Sequence, residues 1–142
     1  AQGLRGEYFT GTALGSQPPL VRIEAVDFDW GVVAPSETLP ADRFSVRWTG
    51  FLVAPTGGSF QFQTVSDDGT RLWVNNRSLI DNWTTHARTR DTSASVLLAG
   101  GERVPIQLEY FEESGSAEMR LRWRAPGSSS FVPVPLTALR PS

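Results

Sequence analysis

Apolar and polar residues alternate one by one along most of this chain, which is the pattern of a β-strand with one buried face. The runs 44–49, 104–110 and 119–124 show the alternation most clearly, and no window has a convincing helical period. Clusters of Gly, Pro, Asn and Asp separate the runs and are typical of tight turns. The pattern predicts an all-β fold of two antiparallel sheets, a β-sandwich or barrel.

The alternation also predicts where the strands and the core lie. Strands are expected at 4–9, 21–28, 44–53, 60–64, 72–74, 79–83, 96–98, 104–110, 119–123 and 131–135. The expected core consists of Phe44, Val46, Trp48, Leu72, Val74, Ile106, Leu108, Leu121 and Trp123. The sequence Asp-Gly at 68–69, between two alternating runs, predicts a hairpin turn. The segment up to Arg90 is expected to be a polar loop, and the tail from Pro133 the start of a linker.

Length and composition limit the classes of protein that remain. The 142 residues predict one domain spanning 1–142, and 39% apolar with 20% charged residues argues against a disordered chain. The net charge of −2 and the absence of a basic block argue against nucleic acid as a partner. The apolar runs are too short for a membrane helix, so no membrane insertion is expected. Because the chain begins at Ala1 without a signal peptide, we expect a module excised from a longer protein.

Enzyme motifs are missing from the sequence. All thirteen basic residues are Arg and no residue is Cys, which excludes lysine Schiff bases, thiol catalysis and disulfides. His86 is the single histidine and is expected to be an ordinary loop residue. There is no nucleophile elbow and no glycine-rich phosphate loop. The sequence therefore predicts a protein that is not itself an enzyme, although it can be attached to one.

Two acidic turns are the candidates for a metal site. Asp67 and Asp68 are adjacent carboxylates that repel each other, so they indicate either a solvated turn or a bound cation. Ca²⁺ takes six to eight oxygen ligands, which acidic loops supply. A second acidic turn, 112–116, is either a solvated turn tip or, if it lies beside Asp67 and Asp68, a part of the same site. Trp73 and Trp83 either pack at a sheet edge or offer a flat surface to a sugar ring.

Seven ordered motifs resemble one family across nearly the whole chain. They are Gly3–Phe9, Phe44–Phe51, Gly58–Phe62, Ser66–Val74, Leu79–Trp83, Leu108–Glu112 and Met119–Trp123. In this order they resemble the PA-fourteen module, named after the N-terminal part of anthrax protective antigen. The resemblance implies a β-sandwich attached to secreted or cell-surface proteins, with carbohydrate binding as its best understood activity.

The resemblance also implies a ligand set. In carbohydrate-binding members, two consecutive Asp residues joined by a cis peptide bind Ca²⁺, and vicinal sugar hydroxyls complete the metal shell. Asp67 and Asp68 match that pair. In the later loop, Glu112 lies nearest the position of the family's Asn, and Ser114 and Ser116 lie nearest its carbonyl donors. Trp83 is then the candidate to lie against the sugar ring.

Two functions from different classes follow. The first is an extracellular, Ca²⁺-dependent carbohydrate-binding module whose partners are glycans with vicinal hydroxyls and the neighbouring domains of its parent chain. The second is a structural or protein-interaction module that shapes an adjacent domain and binds no metal. Binding of a glycan surface only in the presence of Ca²⁺ separates the two.

Overall fold

The computed structural model describes residues 2–142, which form two antiparallel sheets packed face to face. The larger sheet has seven strands: β1 (Leu4–Thr10), β2 (Leu20–Glu24), β4 (Phe44–Val53), β6 (Thr70–Val74), β7 (Arg77–Asn82), β9 (Arg103–Glu112) and β12 (Leu139–Arg140). The smaller sheet has five: β3 (Asp27–Gly31), β5 (Gly58–Asp67), β8 (Thr89–Leu98), β10 (Ala117–Arg124) and β11 (Val132–Pro133). The all-β, two-sheet prediction is confirmed.

Each sheet has a simple neighbour order. In the seven-stranded sheet the order is β2-β1-β4-β9-β6-β7, and β12 pairs with β4. In the five-stranded sheet it is β11-β10-β5-β8, and β3 pairs with β10. Consecutive strands therefore often belong to different sheets, and the chain crosses between them several times. No helix among residues 2–142 is both long enough and apolar enough to cross a membrane.

The core fills the space between the inner faces of the sheets. All nine residues predicted for it are buried, none more than 4% exposed. One end of the interior is unusually aromatic, because Tyr8, Trp30, Phe44 and Tyr110 meet there with ring centroids 5.5–6.5 Å apart. Three of these four contacts are edge-to-face, a geometry that adds to the free energy gained by burying the rings. The alternation therefore identified the inner faces correctly.

Three details of the sequence prediction are wrong. The single strand expected at 21–28 is two strands, since the chain leaves the larger sheet after Glu24, buries Val26 and enters the smaller sheet at Asp27. The strand expected at 96–98 is longer and begins at Thr89. Because β8 is an edge strand, its first residues are mostly polar and do not show the apolar alternation that predicts a strand. The segment expected to begin a linker packs on the domain instead: Val134 and Leu139 are buried, and β12 pairs with β4.

Replacing Trp123 with Ala is expected to destabilise the fold by about 3–5 kcal/mol, because it leaves a cavity in the core. The Trp123 ring is 5.0 Å from Phe60 and 6.3 Å from Phe62, measured between centroids. Urea unfolding followed by fluorescence measures the loss. Leu97→Ala is the matched control, because Leu97 is 82% exposed on β8, and its effect should stay within about 0.5 kcal/mol. Equal unfolding midpoints for wild type and Trp123→Ala would contradict the described core.

Candidate metal site

Two connections between the sheets lie at the same end of the sandwich. The chain leaves β5 at Asp67 and enters β6, in the other sheet, at Thr70. It later leaves β9 at Glu112 and enters β10, in the opposite direction, at Ala117. The Asp-Gly turn is therefore not a hairpin, and that prediction is wrong: β5 pairs with β8 and β10, while β6 pairs with β7 and β9. The turn lies where the sequence predicts it, but it connects a strand of one sheet to a strand of the other.

Backbone hydrogen bonds join the first connection to the start of the second. The Asp68 N–H donates to the Phe111 carbonyl at 3.3 Å, and the Phe111 N–H donates to the Gly69 carbonyl at 3.1 Å. Gly69 is needed for this close approach, since a Cβ there would lie 2.8 Å from the Phe111 ring and 3.0 Å from the Thr84 nitrogen. The two connections are thus held in a fixed relation before any ligand is considered.

Three carboxylates converge where the connections meet. One potential ligand atom from each of Asp67, Asp68 and Glu112 lies within 4.8 Å of the others, and this is the only such group of three among residues 2–142. Asp68 and Glu112 are buried, while Asp67 is partly exposed. The peptide bond between Asp67 and Asp68 is cis, as the family resemblance implied. The second acidic turn therefore does lie beside the first.

The carboxylate of Asp68 is held by backbone donors from two loops. The His86 N–H donates to Oδ1 at 3.1 Å, and the Glu113 N–H donates to Oδ2 at 2.8 Å. These bonds fix the orientation of the side chain and leave the remaining lone pairs free for a further partner. Sequence reasoning missed His86, because its contribution is through the backbone and any residue type other than Pro offers that donor.

Glu112 is a buried acid that no donor of the protein compensates. Its side chain is inaccessible to solvent, and neither Oε1 nor Oε2 accepts a hydrogen bond from a protein donor. Burial, then a side-chain hydrogen bond that the protonated acid makes to Asp68, and then the charges of Asp68 and Asp67 raise the pKa of Glu112 to about 9. Burial and the charge of Asp68 also raise the pKa of Asp67. Uncompensated negative charge at this position is costly, and a cation would relieve it.

The donor set fits a hard divalent cation. It consists of carboxylate oxygens only, without imidazole or thiolate, which suits Ca²⁺ better than a transition metal. Ser114 and Ser116 are exposed in the 112–116 loop, and their contribution as carbonyl donors stays a prediction. Glu113 points elsewhere and pairs with Arg43. Of the two adjacent glutamates, Glu112 is therefore the one that joins the cluster.

Trp83 lies on the outer side of the site but does not present a free face. Its ring is 4.8 Å from that of Phe111, and the Arg71 guanidinium sits over it at 3.8 Å from the centroid. Phe111 links Trp83 to the metal cluster through its backbone bonds to residues 68 and 69. A sugar contact at Trp83 stays a prediction, and it requires the exposed edge of the ring or a displacement of Arg71.

Comparison with known proteins identifies the family of the chain. Residues 1–136 match the family described as the PA14 domain. The chain is 36% identical over 141 residues to the anti-sigma-I factor RsgI3 of Acetivibrio thermocellus, a match that covers 99% of the chain and 21% of that protein. It is 37% identical to an anti-sigma factor domain-containing protein from Clostridium clariflavum, with a TM-score of 0.92, covering 99% of this chain and 48% of that one.

A more distant solved structure shares the fold. The PA14 sugar-binding domain from an RTX adhesin has a TM-score of 0.81 at 19% identity, covering 99% of both chains. The two packed antiparallel sheets define a β-sandwich module. The chain belongs to the PA14 domain family, so the resemblance seen in the sequence motifs is confirmed. It spans only about a fifth of the length of its curated relative, RsgI3.

In chelator, Glu112→Gln is expected to remove a pH dependence of stability. The unfolded protein loses the Glu112 proton near pH 4.5 and the folded protein near pH 9, so the folded state binds more protons between these values. Its stability should therefore fall with rising pH in this window, by at most about 1.4 kcal/mol per pH unit. Urea unfolding of both proteins across this range measures the difference. Glu113→Gln is the control, and parallel curves for wild type and Glu112→Gln would contradict the assignment.

Proposed function

We propose that this chain is a Ca²⁺-dependent carbohydrate-binding module that acts outside the cell and is not itself catalytic. The observation that carries the proposal is the convergence of Asp67, Asp68 and the buried Glu112, which accepts no hydrogen bond from a protein donor, at one end of the sandwich. When ionised, the three carboxylates repel one another, and a bound cation would offset that repulsion. The oxygen-only donor set favours Ca²⁺.

The residues have different tasks in this proposal. Glu112 and Asp68 form the buried side of the site, and the backbone donors on Asp68 keep its carboxylate oriented. Asp67 is partly exposed and marks the side that faces solvent. The carbonyls of the 112–116 loop, including those of Ser114 and Ser116, would supply further oxygen ligands. A bound Ca²⁺ would supply open coordination positions for two adjacent sugar hydroxyls, since its geometry is flexible.

The border of the site would supply selectivity. Trp83, Phe111 and Arg71 are in mutual contact beside the cluster: the two rings meet at a tilt, and the Arg71 guanidinium lies over the Trp83 ring. A sugar held by two hydroxyls presents C–H groups to an apolar neighbour and the remaining hydroxyls to polar ones. Aromatic edges and an Arg donor fit this division.

The comparisons support the proposal only in general terms. The similar adhesin domain is described as sugar-binding, but at 19% identity it shows a shared fold alone. The relatives at 36–37% identity carry anti-sigma factor names and are much longer than this chain. We therefore infer that the module works with neighbouring domains of a longer chain. An interaction module without metal is the alternative, and the experiments below separate the two.

Asp67→Asn should weaken Ca²⁺ binding by about tenfold or more, because affinity depends on the number and charge of the ligands. Isothermal titration calorimetry of the wild type should show one Ca²⁺ per chain. Asp81→Asn is the matched control, because Asp81 is an exposed carboxylate outside the cluster and its loss should leave the titration unchanged. A wild-type protein without heat or thermal shift at millimolar Ca²⁺ would favour the metal-free interaction module.

Glycan binding should be weak and metal-dependent. Few hydroxyl contacts on a shallow site predict a Kd near the millimolar end, about −4 kcal/mol. A glycan array probed with multivalent protein should show sugars with accessible vicinal diols, and the signal should vanish with EDTA and in Asp67→Asn. Undiminished binding in EDTA would contradict the metal-bridged mechanism. If Ca²⁺ binds but no glycan on the array does, the metal site is structural and the carbohydrate-binding proposal is contradicted.

A further inference from the structure

The outer face of the seven-stranded sheet carries a row of alternating charges. Glu7, Arg47, Glu109, Arg71 and Asp81 lie opposite one another on five adjacent strands. Arg71 pairs with Glu109 at 2.8 Å, Glu109 with Arg47 at 3.4 Å, and Arg47 with Glu7 at 3.8 Å. This charged row crosses the middle of the face.

A groove of about 500 Å³ lies beside the charged row, on the side away from the metal cluster. Its floor is formed by the outward residues of β4 and β9, namely Thr49, Phe51, Pro105 and Gln107. Glu112 lies five residues further along β9 than Gln107, which is roughly 17 Å at the rise of a strand. The groove is therefore distinct from the candidate metal site.

The shape of the groove follows from where the strands end. β6 stops at Val74 and turns through Asn75 and Asn76, both with positive φ, while its sheet neighbour β9, and β4 beside it, extend further in the same direction. Trp73 and Asn76 border the groove on this side. On the other side, the chain after β12 borders it with Pro141 and Ser142. The step in the sheet leaves an open channel between the two borders.

The lining of the groove has no charged side chain, although the neighbouring row consists of charges. Trp73 and Phe51 supply partly exposed aromatic rings, Gln107 and Asn76 supply amides, and Thr49 supplies a hydroxyl. An aromatic surface next to amides and a hydroxyl matches a sugar, which has an apolar C–H face and polar edges. Two guanidinium groups reach the border of the groove, Arg71 at 5.7 Å from the Trp73 ring centroid and Arg103 at 5.9 Å from that of Phe51. Both already have partners, because Arg71 pairs with Glu109 and Arg103 donates to the Ser142 carbonyl, so the groove favours a neutral ligand. The volume lies in the range of sites that bind small ligands.

The geometry points to a second carbohydrate site in this groove, one that takes a neutral glycan chain and needs no metal. Trp73 would lie against one ring, while Gln107, Asn76 and Thr49 would bond to its hydroxyls. The groove is open along its length, so a segment within a polysaccharide can enter as well as a chain end. The candidate metal site would then recognise one sugar by its vicinal hydroxyls, and the groove would hold a chain.

Affinity gel electrophoresis in EDTA tests the groove alone, because chelation removes any contribution of the metal site. The probes are three neutral polysaccharides, namely xyloglucan, mixed-linkage β-glucan and galactomannan, and the polyanion polygalacturonate. At least one neutral probe should retard the wild type, whereas polygalacturonate should not. Trp73→Ala should weaken that retardation by about tenfold. Thr49→Trp, which fills the groove without removing Trp73, should abolish it.

Phe131→Ala is the matched control and should behave as wild type. Phe131 is also a partly exposed aromatic residue facing an Arg, and it lies outside the groove. Unfolding midpoints establish that each variant is folded. The proposal is overturned if no neutral probe retards the wild type in EDTA, or if Trp73→Ala and Thr49→Trp are retarded as strongly as the wild type. Retardation that appears only with Ca²⁺ also overturns it and assigns binding to Asp67, Asp68 and Glu112 instead.

Discussion

The reciprocal backbone hydrogen bonds between Phe111 and residues 68 and 69 determine how this end of the molecule is built. They continue the pairing of β6 with β9 by one residue beyond the pair Thr70 and Tyr110. Because the chain changes sheets on both sides of this step, the bonds tie together two connections that are distant in sequence. The positions of Asp68, Glu112 and Trp83 all follow from that contact.

The inward-facing residues change from apolar to polar toward the end of the sandwich that holds the acidic site. The inward-facing residues of β5 run Phe60, Phe62, Thr64 and Ser66, and Asp68 continues this order. On β9 the inward series Ile106, Leu108 and Tyr110 leads to Glu112. Two rows that begin in the apolar core therefore end in carboxylates facing each other. The acidic site therefore lies at the end of the core, where side chains are shielded from water and an unpaired charge is unfavourable.

The sequence predicts the inner faces well because alternation reports burial directly. Phe44, Trp48 and Leu108 lie where the pattern places them. The same rule, extended by one step, selects Glu112 over Glu113, since Glu112 shares its face with Leu108 and Tyr110. Alternation does not show which sheet a strand joins, and for that reason the hairpin predicted at the Asp-Gly turn is wrong. A turn signal describes the local backbone, whereas the choice of sheet depends on distant partners.

Other features could not be found from local sequence at all. The His86 contact uses only a backbone N–H, and the covering of Trp83 by Arg71 depends on the register of β6 against its neighbours. The strand β8 is too polar to be predicted beyond its last residues. It is nevertheless held to β5, where the Ser93 hydroxyl accepts a hydrogen bond from the Phe62 N–H at 3.0 Å, next to an irregularity in the ladder.

The charged row on the outer face limits how this surface can change over evolutionary time. Arg47 and Glu109 each have an oppositely charged neighbour on both sides. Reversing one of these charges turns two attractions into two repulsions, while reversing its neighbours as well restores the pattern. Substitutions along the row should therefore be inherited in correlated sets, and related chains should keep the alternation of sign more faithfully than the identity of any single residue.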